Sequence, residues 1–135
     1  MKMPVMGIIR GLDSSDLEAI LPAYVKSGLT TIELIRQIQS VAGQELQIGA
    51  GTVRSVSDLR LALDAGAAFI ITPTLELDVV KQCVDMNVPV FPGAFTPTEI
   101  HQAHRAGATM VKVFPASVLG PEYIRNLRAP LPDVR

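Results

Sequence analysis

The feature that most constrains this chain is a repeated junction. LDAGAAFIITP (63–73) and HRAGATMVKVFP (104–115) both read as a helix end, an Ala-Gly-Ala stop, an apolar run and a proline; KSGLTTIE (26–33) is a looser copy. A glycine after the last periodic residue is a helix stop. The run behind it carries apolar residues on both faces, as a parallel strand does when helices or a packed interior cover both sides. A junction that recurs in this form predicts consecutive βα units rather than separate hairpins or a helical bundle.

Extending that register along the chain gives six units. VMGII (5–9) reads as a strand, followed by a helix in SSDLEAILPAYVKSG (14–28), capped by Ser14 or Ser15 and kinked or shortened at Pro22. LTTIE (29–33) is a second strand before the short helix LIRQIQSVAG (34–43), and LQIGAG (46–51) is a third before the helix SVSDLRLALDAG (55–66), capped by Ser55 or Ser57. AFIIT (68–72) and VPVF (88–91) bracket the helix LELDVVKQCVDM; TPTEIHQAHRAG (96–107) opens with a threonine cap and a first-turn proline. TMVKVF (109–114) is the sixth strand and GPEYIRNLRA the sixth helix. The expected fold class is α/β, a single domain over 1–135, either a (β/α) barrel or an open parallel sheet. A full eightfold barrel takes about 250 residues, so six units in 135 residues are expected to lack the last strands.

Bulk properties exclude several functions. A formal net charge of −1, with no basic cluster, gives no field for nucleic acid. No apolar run approaches the roughly 18 residues of a membrane helix, and the N-terminus lacks the h-region and cleavage site of a signal peptide. A lone cysteine, Cys83, makes no internal disulfide, so the expected compartment is cytoplasmic. The same residue is expected to be packed in a helix face.

Within the strands, Lys112 demands explanation. Met110, Lys112 and Phe114 share one face of strand six, and Val111 and Val113 the other. If the first face points inward, apolar neighbours desolvate the ammonium and free an amine to attack a carbonyl. The alternative is a lysine at a strand end that reaches out to water. Glu33, closing TTIE where barrel enzymes place catalytic groups, is the candidate proton shuttle; it could equally be a first-turn helix glutamate. In GAGTV (49–53) two glycines let backbone approach a ligand, and Thr52 adds a hydroxyl; as a phosphate motif the spacing is weak. The prolines of ITPT and FPGAFTPTE shape a rim. His101 and His104 lack a third ligand at metal spacing, so no metal is expected.

Taken in order, PVMGIIRG, SGLTTIE, IGAGTV, AFIITP, VPVFPGAFTPTE, VKVFPAS and LGPEYIRNLRAPLPDVR resemble the aldolases of 2-keto-3-deoxy-6-phosphogluconate and 4-hydroxy-2-oxoglutarate. The resemblance implies a TIM barrel, assembled as a homotrimer, that needs no metal or other cofactor and acts on a small keto acid. By position it implies that Lys112 is the Schiff-base lysine and Glu33 the acid/base. It sets Thr52 and Pro73 around the pyruvyl moiety, Arg10 near the anionic substrate and Phe114 against the lysine. Two departures accompany it: about ten residues expected after Glu33 are absent, and phosphate-binding strands seven and eight would follow Arg135. Arg36 is read as a helix residue. The alternatives are a non-catalytic sugar-acid or phosphate-binding barrel, an inactive truncated aldolase, or a phosphate-binding barrel enzyme of other chemistry.

Overall fold

The computed structural model describes residues 47–135. The expected elements VMGII, SSDLEAILPAYVKSG, LTTIE and LIRQIQSVAG, with Arg10 and Glu33, lie outside the described residues. The described order is α1 (Val56–Asp64), β1 (Ile70–Ile71), α2 (Leu77–Asp85), β2 (Val90–Phe91), β3 (Gly93–Ala94), α3 (Pro97–Arg105), β4 (Lys112–Val113), a 3₁₀ turn (Ala116–Val118) and α4 (Gly120–Arg128).

The helices start where hydroxyls cap them. Ser55, rather than Ser57, is the N-cap of α1 and accepts from the Asp58 N–H. Thr96 and Glu99 form a reciprocal capping box at α3, with Pro97 in the first turn. The helix ends explain the repeat. In α1, the Gly66 N–H donates to Leu63 and the Ala67 N–H to Ala62; in α3, Gly107 donates to His104 and Ala108 to Ala103. Gly66 and Gly107 both sit at φ 93°, the left-handed turn of a Schellman cap. Helix α2 ends the same way on Asn87, at φ 55°, with Asn87 donating to Val84 and Val88 to Cys83. The repeat therefore has a third described copy, which its Asn-for-Gly exchange hides in the sequence.

All described pairing is parallel. Ala50 bridges Ile70, β1 pairs with β2, and β3 pairs with β4. The regular strands are shorter than the apolar runs suggest, because the run 88–94 contains Pro89 and Pro92, which have no N–H for a ladder. The run is bonded on both edges: on the β1 side Ile70 and Thr72 donate to the Pro89 and Phe91 carbonyls and Gly93 donates to the Thr72 carbonyl, while on the β4 side the Pro92 and Ala94 carbonyls accept from Lys112 and Phe114. Thr109 supplements the ladder, donating its N–H to the Val90 carbonyl while its hydroxyl accepts from the Val90 N–H, both at 3.0 Å. Beyond β4, the Val111 N–H donates to the carbonyl of Arg135 at 2.7 Å.

Each helix turns a narrow apolar stripe to the sheet: Leu59 and Ala62 from α1, Val79, Val80 and Cys83 from α2, Ile100 and Ala103 from α3, Leu127 from α4. Within the strands, Ile70 and Val90 are wholly buried. Full burial of one such aliphatic side chain stabilises the fold by about 1.5–3 kcal/mol. Around α3 and α4, Ala94, Ile100 and Leu127 form a cluster that Val111, Val113, Tyr123, Leu131 and Val134 cover. No helix among the described residues is long and apolar enough to cross a membrane.

Candidate active site

Parallel strands bring their C-terminal ends to one side, and three of these ends carry residues singled out by sequence. Thr52 follows the strand that contains Ala50, Pro73 follows β1 and Phe114 follows β4; Phe95 follows β3.

Lys112 occupies the face opposite the helices. Val111 and Val113 pack on the Ala94–Ile100–Leu127 cluster; side chains alternate along a strand, so Lys112 points the other way. Ala94 pairs with Val113, and Gly93 pairs with Lys112. Paired residues in a parallel sheet share a face, so Gly93 and Lys112 stand side by side away from the helices. The Lys112 N–H donates to the Pro92 carbonyl at 2.9 Å, which fixes the backbone beneath the amine.

Two neighbours named by the sequence flank that amine. Lys112 is half-buried, while Met110 is 46% and Phe114 38% exposed. Nζ lies 4.4 Å from the centroid of the Phe114 ring, a face that attracts an ammonium. The Phe114 ring face thus lies against the amine, one residue beyond the end of β4. Phe114 is itself anchored through its N–H, which donates to the Ala94 carbonyl at 3.0 Å.

The GAGTV segment also needs correction. A β-carbon at Gly49 would lie 2.1 Å from the Phe69 ring, so this glycine makes room for an aromatic that stacks edge-on against Phe91 at 5.8 Å. Its function is packing rather than close approach to a ligand. A β-carbon at Gly51 meets nothing within 4 Å. The unusual backbone lies one residue on: Thr52 is exposed and adopts φ 61°, a left-handed conformation that is an outlier for a β-branched residue. Such strain collects at ligand sites.

Three residues that sequence reasoning did not select complete the rim. Thr72, fully buried, donates its hydroxyl to the Thr74 carbonyl at 2.5 Å, so the turn around half-buried Pro73 is closed from within. Gly93 donates its N–H to the Thr72 carbonyl at 3.0 Å. Tyr123 donates its hydroxyl to the Phe95 carbonyl at 2.7 Å and ties α4 to the loop after β3. Burial and the nearby Glu99 carboxylate raise the Tyr123 phenol above its ordinary value. Glu99 is held below the usual carboxylate range by the Thr96 and Phe95 N–H groups that it accepts from. The tyrosine could not be found from spacing, since its partner lies 28 residues away. Gly93 could have been, because a glycine inside a strand run signals close backbone approach.

His101 is exposed and His104 half-buried on the helical layer, and the described residues contain no group of three metal-ligating side chains.

These features define a class: an α/β protein with a lysine on the non-helical face of a parallel strand and a rim of turns at the strand ends. Comparison with known proteins makes it specific. The family model described as KDPG and KHG aldolase matches residues 1–135. A probable 2-dehydro-3-deoxy-6-phosphogalactonate aldolase of Rhizobium meliloti is 36% identical, over 98% of this chain and 67% of that protein. The 2-dehydro-3-deoxy-6-phosphogalactonate aldolase of Escherichia coli is 33% identical, over 98% of this chain and 69% of that protein. A solved structure described as native KDPGal superposes with a TM-score of 0.86 at 30% identity, covering 99% of this chain and 70% of the other. The chain belongs to the KDPG and KHG aldolase family, carbon–carbon lyases of the pyruvate-forming class I type. Its α/β fold matches the structures of that TIM-barrel family, and it spans about two thirds of the length of the relatives it matches.

Proposed function

We propose that the chain cleaves a 2-keto-3-deoxy sugar-acid phosphate, of the 6-phosphogalactonate type, to pyruvate and a phosphorylated aldehyde. The observation that carries this is the setting of Lys112. It stands on the face opposite the helices, in register with Gly93, its amine against the ring of Phe114, one residue beyond the end of β4. The galactonate preference rests on the names of two similar relatives.

In this reading the Lys112 amine adds to the C2 carbonyl and water leaves, giving an iminium. The C3–C4 bond then breaks; its electrons flow into the iminium to form an enamine, while the C4 hydroxyl proton passes to Glu33. The aldehyde departs, the enamine is protonated at C3, and water releases pyruvate and regenerates the amine. Thr52 and Pro73 border the pyruvyl end, and Phe114 orients the amine. Arg10 meets the anionic end of the substrate. The whole of 1–135 acts as one domain of a (β/α)8 barrel contributing six βα units, which the family match along the full chain supports. We place it in the cytoplasm as a homotrimer.

The test is pyruvate release, followed with the full chain on 2-keto-3-deoxy-6-phosphogalactonate and on its gluconate epimer. Faster release from the galactonate, abolished in Lys112→Ala, is expected. Release that persists in Lys112→Ala rules out the assignment of the nucleophile. Equal or faster release from the gluconate rules out the substrate preference.

A further inference from the structure

Gly93 stands beside Lys112, and what it lacks is informative. A β-carbon there would lie 2.1 Å from the Pro73 carbonyl oxygen, 2.5 Å from the Pro73 carbonyl carbon and 2.9 Å from the Thr72 oxygen. All three obstacles are backbone, so no side-chain rotation could relieve them. The glycine is thus required sterically: the peptide after β1 leans over β3 into the space a side chain would fill. Because Gly93 and Lys112 are register partners, that space opens on the same face as the lysine.

Two bonds hold the leaning peptide in place. The Gly93 N–H donates to the Thr72 carbonyl at 3.0 Å, with the Thr72 hydroxyl oxygen 3.4 Å from the same nitrogen. The Thr72 hydroxyl in turn donates to the Thr74 carbonyl, closing the two residues that flank Pro73. Thr72 is completely buried, which shields its own hydroxyl from competing water. The ring of Pro73 also restricts its own φ, leaving the turn little freedom once both flanks are tied.

We infer that Thr72 and Gly93 are positioning residues: together they seat the Pro73 peptide over β3 as a fixed wall next to Lys112, against which the pyruvyl end of the substrate is held. The inference rests on the Schiff-base reading of Lys112. Neither residue touches the reacting atoms; both act through Pro73. A displacement of about 1 Å at such a wall can cost about a hundredfold in reactivity, far more than the loss of one hydrogen bond implies.

The experiment titrates pyruvate against the full chain, traps the adduct with borohydride and follows its rate by peptide mass at Lys112, with thermal stability measured in parallel. Thr72→Val keeps the shape and the Gly93-to-carbonyl bond but loses the hydroxyl; Thr72→Ser restores the hydroxyl alone. For Thr72→Val the half-saturating pyruvate concentration is expected to rise by roughly tenfold or more, and Thr72→Ser is expected to return within about threefold of the parent. Gly93→Ala is expected to lose trapping. A Thr72→Val protein with the parent's pyruvate dependence overturns the inference, whatever its thermal stability. So does a Thr72→Ser protein as impaired as Thr72→Val, since a hydroxyl would then not be the determinant. If the unmodified chain forms no adduct, the Schiff-base reading itself fails and this inference falls with it, an outcome separate from the variant results.

Discussion

Two residues show how local chemistry was and was not visible. Lys112 was legible because alternation along VKVF sets it opposite Val111 and Val113, and those valines do face the helices. In the sequence Thr52 stands out by its hydroxyl, yet its backbone at φ 61° is what distinguishes it. No sequence rule gives a β-branched residue that conformation, so the signal arises only in the folded loop. Relief of left-handed strain is worth about 1–2 kcal/mol, against about 0.5–1 kcal/mol of entropy lost by a glycine. Thr52→Gly is therefore expected to gain about 0.5 kcal/mol in denaturant unfolding while slowing pyruvate trapping. Lower stability with unchanged trapping would show that the threonine is neither strained nor at the site. At Thr109 the expectation is the reverse. Thr109→Val removes the hydroxyl acceptor of the Val90 N–H, a part-buried bond from fully buried Val90 to exposed Thr109, and should cost about 1 kcal/mol; a loss below about 0.5 kcal/mol would show another acceptor takes over.

Helix starts and stops were the most readable elements. Ser55 and Thr96 act as caps because their hydroxyls accept from first-turn N–H groups, and the Ala-Gly-Ala stops are Schellman ends. Asn87 is silent in the sequence because only its left-handed backbone, not its identity, repeats the pattern. Gly107→Ala is expected to cost about 1–2 kcal/mol, with the Val84 side chain 3.0 Å from the added carbon. Asn87→Gly should change stability by less than about 0.5 kcal/mol. Equal effects at both positions in thermal melts would argue against a shared cap geometry. Strand lengths were less legible. The run 88–94 is bonded to the β1 strand on one edge and to the β4 strand on the other, and that placing depends on neighbours that no local pattern names.

For the molecule as a whole, burial of Cys83 pushes its thiol up to about 11 from an ordinary 9.0. Below pH 9 both folded and unfolded chains keep the proton, so its contribution is fully present. Between 9 and about 11 the unfolded chain releases the proton first, and stability falls as pH rises. Cys83→Ala should flatten the decline in melting temperature across that range, with Tyr123 still contributing a loss above pH 10; an unchanged decline would acquit the thiol. At this scale the parallel α/β plan followed from the repeated junction, and the family from seven ordered segments. The brace of Thr72, Pro73 and Gly93 did not follow, because it joins residues 21 positions apart through backbone. The central claim is that Lys112 is a Schiff-base nucleophile, and borohydride reduction in the presence of pyruvate tests it most directly. One reduced pyruvyl group on the Lys112 peptide, absent from Lys112→Ala and from protein unfolded before mixing, is the expected result. An unmodified Lys112 in the folded chain, or an adduct spread over other lysines, would contradict it.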